Sequence, residues 1–190
     1  VLSYSVFEGI DAVVRSVRLI NEGKDSVFIE RIMSASFDID NREYDKIMLH
    51  GSWARERGID RTPVNYGVQS MSSLRGESGH QQHPFMALLE KTATQDAGEV
   101  YGINLIYSGN FLTLAERGQF DNIRLMTGIN PEGFEWKLNP GESFQSPEAV
   151  MVYSAEGLGG MSRAFHDLYR EHLIRGKYRD KKRPILINNW

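Results

Sequence analysis

The chain contains no cysteine among its 190 residues. That removes disulfides and thiolate metal sites from consideration, and it fits a reducing compartment. No apolar run approaches the length of a membrane span, and Val1 does not begin a signal-peptide pattern. No excess of positive charge is present either. The formal net charge is -3, which leaves no basic footprint for nucleic acid. An initiator methionine is missing, and "VLSYSVFEG" starts inside a strand pattern, so the expectation is that the natural polypeptide begins earlier. No internal repeat or low-complexity segment stands out.

What is present is an ordinary globular composition, 41% hydrophobic and 25% charged, in a length that suits one good core plus an appendage. Apolar–polar alternation rich in β-branched residues dominates the first three quarters. "AVVRSVRLI" (Ala12–Ile20) reads as a strand, and "SVFIERIMSASFDI" (Ser26–Ile39) as one long strand with "NEG" turning between them. Further strands are expected at Lys46–Leu49, Asn65–Met71, Phe85–Glu90, Val100–Tyr107, Phe111–Arg117, Asp121–Thr127, Phe134–Leu138 and Ala149–Ser154. "SGN" joins two of these at hairpin spacing. Many strands, short turns and no intervening helix predict an antiparallel β-sandwich.

The period changes late in the chain. From Leu158 to Ile174 it is helical, with Met161, Ala164, Phe165, Leu168 and His172 on one face. "GLGG" ahead of this run reads as a flexible lead-in. A basic connector, "RGKYRDKKRP" (Arg175–Pro184), then leads to the apolar "ILI". This places a domain boundary near Arg175. An apolar strand followed by two asparagines and a tryptophan is an unusual close, because chain ends are commonly polar and loosely held.

Motifs that carry chemistry are sparse. No nucleophile elbow, P-loop or dinucleotide fingerprint occurs, and "GLGGMS" lacks the strand–helix–strand context of a phosphate loop. His80 and His83 stand three apart in "SGHQQHPF". Gly79 and Pro84 favour a loop there, and no third ligand lies nearby, so no metal is expected. His172 reads as a half-buried packing residue and His166 as solvated. Glu132, Glu135, Glu142 and Glu148 read as surface carboxylates in no acid/base arrangement. The segment "HGSWARERGIDRTPV" (His50–Val64) is the oddest. It reads as a long loop with a tryptophan among charged groups, a pattern that serves either binding or anchoring of the loop to the core. Composition alone favours the anchor.

Several stretches together resemble the large bacterial α-galactosidases of glycoside hydrolase family 36. They are "SVFEGIDAVVRSVRLIN", "HGSWARERG", "RGESGHQQHPF", "LNPGESFQSPEAVMVYSAEGLGGMSRAFHDLYREHL" and "RPILINNW". "PGESFQSPE" and "NNW" are the most specific, and the order and spacing fit across essentially the whole chain. The resemblance implies an antiparallel β-supersandwich, similar to galactose-mutarotase domains, over residues 1–175 with its closing helix. Residues 176–190 would be a linker and the first strand of a (β/α)8 catalytic barrel. Trp190 would then lie at the C-terminal end of that strand, the face where barrel active sites are found. The chain is thus expected to be a sandwich domain with a stub of barrel.

The same resemblance implies a retaining α-galactosidase acting on oligosaccharides such as melibiose and raffinose, cytoplasmic and tetrameric, with no cofactor. Partners would be the α-galactoside, the chain's own barrel and other copies of the protein. Neither nucleic acid nor membrane is implied. Retention needs two carboxyl groups about 5–5.5 Å apart, and in this family both are aspartates on later barrel strands. Neither motif is in this sequence, and "EWKL" (Glu135–Leu138) lacks the aspartate that would follow in a nucleophile motif. No catalytic residue is therefore assigned. What carries over is binding: Trp53 and Trp190 match positions that contact substrate. Sugar C–H faces pack on an indole, and the ring N–H bonds a hydroxyl. Two other readings remain open, a non-catalytic sugar-binding module and a purely scaffolding sandwich.

Overall fold

The structure, a computed structural model, describes residues 1–189. Its frame is one large antiparallel sheet. In spatial order it contains β1 (Leu2–Phe7), β2 (Ile10–Ile20), β14 (Glu148–Ser154), β9 (Val100–Ile106), β8 (Gln82–Leu89), β5 (Asp45–Ser52) and β6 (Arg55–Pro63), with the short β13 (Ser143–Gln145) pairing the far end of β2. A second sheet orders β10 (Phe111–Arg117), β11 (Asn122–Ile129) and β4 (Met33–Asp40), and β3 (Val27–Ile29) pairs with β12 (Trp136–Leu138) in a two-stranded ribbon. Strand β7 (Gly67–Ser72) runs beside β10, and the Ser73 N–H beyond its end donates to the Phe111 carbonyl at 3.0 Å.

Both faces of the large sheet are covered, which explains why β8 ends in the uninterrupted apolar run "FMALL" instead of alternating. Met86 and Leu88 join Ile103 and Leu105 in packing against Phe111, Ile123 and Leu125 of the second sheet. Ala87 and Leu89, one residue out of phase, pack with Val100 and Val152 under the helix α1 (Gly157–Leu168). Thr113 and Thr127 are fully buried between cross-strand neighbours and satisfy each other by a 2.7 Å hydroxyl–hydroxyl bond, as burial of polar groups requires.

Helix α1 lies close on the sheet because β9 carries a glycine there. A Cβ on Gly102 would sit 2.6 Å from the Phe165 ring and 2.7 Å from the Met161 sulfur. The expected flexible lead-in is in fact the first turn of α1, since Gly157–Gly160 are helical. Gly157 itself has φ of +67°, and a Cβ would come within 2.6 Å of the Ala97 nitrogen. These glycines serve close approach. After Leu168 the helix widens into a π-helical turn, Tyr169–Leu173. There the His172 ring packs 4.5 Å from that of Phe7.

Mainly antiparallel β architecture with one closing helix agrees with the expected fold, but four local expectations fail besides that of the lead-in. The long strand Ser26–Ile39 is two strands, β3 and β4, broken at Glu30–Ile32, and their partners lie in different sheets. Strand Phe134–Leu138 is confined to Trp136–Leu138. Strand β8 starts at Gln82, with His83 and Pro84 inside it. The register against β5 shifts there, and a shifted segment is where a strand tolerates proline. The fourth failure, at His50–Val64, concerns the candidate site. Beyond the π-helical turn, residues 174–189 hold no helix or strand, and Ile185 is 93% exposed.

Candidate functional site

The segment His50–Val64 is not a loop. Strands β5 and β6 pair from Asp45↔Pro63 to Ser52↔Arg55, making a hairpin whose outer strand is an edge of the large sheet. Its charged residues hid the strand, since edge strands carry charge on faces that have nothing to bury.

The base of this hairpin is clamped. Lys46 is 4% exposed, and its ammonium donates across the pair to Thr62 Oγ1 at 2.8 Å and the Pro63 carbonyl at 3.2 Å. Burial lowers its pKa, while the Asp60 and Asp45 carboxylates oppose that shift. Arg61 spreads its guanidinium over four acceptors. They are Asp45 Oδ2 at 2.8 Å and the carbonyls of Glu90, Lys91 and Ala93 at 3.1, 2.8 and 2.8 Å. Six directional bonds fix the base of the hairpin, three of them to the segment that follows β8.

The far end is tight but unburied. Register shifts between His50 and Ser52, so Glu56 and Arg57 together face Gly51. The bulge forces Arg57 into the left-handed region at φ +59°, and Ala54 in the turn has φ +61°. The Ala54 N–H donates to Glu56 Oε1 at 3.0 Å, closing the turn, and the Gly51 N–H donates to the Gln81 carbonyl at 3.1 Å, tying the tip to the segment before β8. A side chain at Gly51 would meet the backbone at once, since its Cβ would be 2.9 Å from the Glu56 Cα. In this turn Trp53 is 79% exposed. Its indole is not the core anchor that composition favoured. It is an aromatic face held out on a rigid arm and flanked in sequence by Arg55 and Arg57. Such an arrangement can bind a flat apolar surface or a sugar ring. It supplies no nucleophile.

Trp190, the other candidate, lies outside the described residues, so the structure does not bring the two together. Trp136 is half-exposed on β12 and packs on Phe144 at 5.1 Å, a structural contact. Glu142 accepts the Asn139 N–H at 2.8 Å, and that backbone bond lowers its carboxyl pKa, so its role is to close a turn. Among the described residues, no three His, Asp or Glu side chains are grouped to hold a metal. The reading of "SGHQQHPF" as loop missed that His83 is placed by β8 in the wall beside the hairpin. Burial, then Arg57, then His80 lower the His83 pKa below its usual 6.5. Only the neighbouring apolar run Phe85–Leu89 could have signalled that strand.

Comparison with known proteins gives a consistent result. Residues 1–139 match the family model described as the glycosyl hydrolase family 36 N-terminal domain, and residues 143–190 match the model described as melibiase. The chain is 51% identical over 189 residues to alpha-galactosidase AgaA of Geobacillus stearothermophilus and 43% identical to alpha-galactosidase 1 of Pediococcus pentosaceus. Each match covers the whole of this chain and 26% of the relative. The chain therefore spans about a quarter of the length of these relatives. Solved structures of AgaA variants in complex with raffinose and with stachyose superpose with a TM-score of 0.96 over the full chain and 26% of theirs. The alpha-galactosidase of Lactobacillus brevis, 42% identical, gives the same score while this chain covers 25% of it.

Proposed function

The chain belongs to glycosyl hydrolase family 36, and on that premise we propose that it is the N-terminal part of an α-galactosidase that hydrolyses terminal α-galactosyl residues of oligosaccharides such as raffinose, stachyose and melibiose. In this reading residues 1–175 form the sandwich with its closing helix, and residues 176–190 lead into a (β/α)8 catalytic barrel whose first strand ends at Trp190. The retaining chemistry belongs to two aspartates of that barrel. The sandwich shapes the mouth of the active site. It also helps assemble a cytoplasmic tetramer, in which the hairpin reaches its own or a neighbouring active site.

The observation that carries this reading is Trp53, exposed at the tip of a hairpin whose base is fixed by Lys46 and Arg61. Nothing about folding of the sandwich asks for an indole there. Trp53 is assigned to the substrate, with Trp190 as its counterpart on the barrel. The apolar Ile185–Ile187 run, exposed here, gains its cover from the barrel.

The test compares two purified proteins on p-nitrophenyl α-galactoside. The 190-residue chain should be inert, because loss of a single catalytic group typically costs several orders of magnitude and here both are absent. The longer polypeptide should turn over. Turnover by the chain alone overturns the assignment of the chemistry to a downstream barrel. Absence of turnover in both, with saturable galactose binding to the chain, would instead make it a sugar-binding module.

A further inference from the structure

The bulged Arg57 also borders a cavity. This cavity, of about 410 Å³, lies between the hairpin stalk, β8 and helix α1. Its floor is aromatic. Phe85 and Phe165 meet edge to face at 5.9 Å, and Tyr169 joins Phe165 at 5.7 Å. Its polar wall is Arg57, His83 and His166, and no lining residue among the described ones is acidic.

Three features of this wall bear on its use. First, Arg57 holds a left-handed backbone at φ +59°, a conformation that non-glycine residues adopt at a cost and that persists where it serves a purpose. As the extra residue of a bulge it is aimed off the strand's alternation. Second, Arg57 has no carboxylate within ion-pair distance among the described residues, although Arg61 on the same strand has one at 2.8 Å. Third, His83 Nε2 is buried without a hydrogen-bond partner, an unmet polar group beside Arg57. The opposite wall is, by contrast, fully built. The Tyr169 hydroxyl donates to Asn104 Oδ1 at 2.7 Å, and the Asn104 amide donates to the Pro84 carbonyl at 3.0 Å. Tyr169 opens the π-helical turn, an irregularity frequent at functional sites.

We propose that this cavity is an oxyanion-binding site in which Arg57 receives a carboxylate or phosphate group. A planar guanidinium matches both anions through paired N–H bonds. Arg57 is exposed at the mouth, and the aromatic floor gives the anion's carrier an apolar surface to rest on. The ring or chain that carries the anion rests on Phe85 and Tyr169. The same chemistry serves two sources, a free phosphorylated compound or the carboxylate of an acidic side chain.

The test is a titration of the 190-residue chain at pH 7 with inorganic phosphate and, separately, with acetate, followed by ¹H–¹⁵N NMR including the arginine Nε–H signals. Saturable shifts at Arg57 and at the His83 and Ser162 amides are expected, with at least a tenfold loss of affinity in Arg57→Gly. Glycine accepts the positive φ without strain, so this variant should melt no lower than the parent and loss of binding cannot be ascribed to unfolding. Tighter phosphate than acetate points to a free phosphorylated ligand, and tighter acetate to a side-chain carboxylate. The proposal is overturned by shifts that are linear and scattered over the surface for both anions. Unchanged affinity in Arg57→Gly overturns it equally.

Discussion

Replacing Trp53 by alanine separates binding from folding, and the structure sets both magnitudes. The residue is 79% exposed, so only about a fifth of its surface is buried. A tryptophan offers on the order of 250 Å², which leaves roughly 50 Å² buried and, at about 25 cal/mol per Å², a folding contribution near 1 kcal/mol as an upper bound. For a chain of this size that is a fall in Tm of about 2–4 °C. The clamps at Lys46 and Arg61 lie at the other end of the hairpin, so truncation at the tip leaves them intact. A stacked aromatic in a binding contact is worth about 1–3 kcal/mol. At 1.4 kcal/mol per decade, kcat/KM of the full-length enzyme for raffinose should fall roughly ten- to a hundredfold. Trp53→Phe, which keeps a stacking face, should recover part of that loss. The assay is steady-state hydrolysis beside a thermal melt of the same preparations. A drop in Tm well beyond this bound with unchanged kcat/KM would make Trp53 a packing residue and remove the case for a substrate contact.

Three further outcomes follow from the packing and the titration. Gly102→Ala should cost about 1–3 kcal/mol, the range for overpacking a core, because its Cβ meets Phe165 and Met161. Urea denaturation measures it, and Met161→Ala in the same chain should restore part of the loss. His83 has a folded pKa below its unfolded value near 6.5, so the unfolded chain takes up its proton first as pH falls. Stability should drop from pH 7 to pH 5 and the slope should flatten in His83→Gln, and an unaltered slope in that variant would refute the assignment. Amide exchange should be fast from Ile185 to Asn189 in the 190-residue chain, whose residues there lie outside any strand, and exchange as slow as that of β8 would show that this segment is paired with the sandwich.

The strands that could be read from the sequence are those that bury something. Phe111–Arg117 appears with the same bounds in both, and Val100–Tyr107 and Ala149–Ser154 differ by one residue. Each places apolar side chains in a core, so alternation or an apolar run reveals it. Helix α1 was legible for the same reason: Met161, Phe165 and Leu168 all lie under it. The hairpin strand β6 buries almost nothing and so left no period to find. "RERGIDRTP" places charges on an open edge, and a loop has the same composition. What singled out that segment was resemblance to a family, and not its own pattern of burial. The sequence could not show that the tryptophan is held out from the core. That depends on a bulge at Arg57, a left-handed turn at Ala54 and a glycine at position 51 whose missing side chain lets two backbones touch. Each of these is a relation between residues across a pairing. The pairing itself is set by Lys46 and Arg61, whose partners are up to 32 positions away in the chain. A site built on an edge strand is therefore legible only after the sheet that holds it is known. The same holds for Arg57 and His83, which lie 26 positions apart in the sequence and become neighbours only when β6 and β8 flank β5.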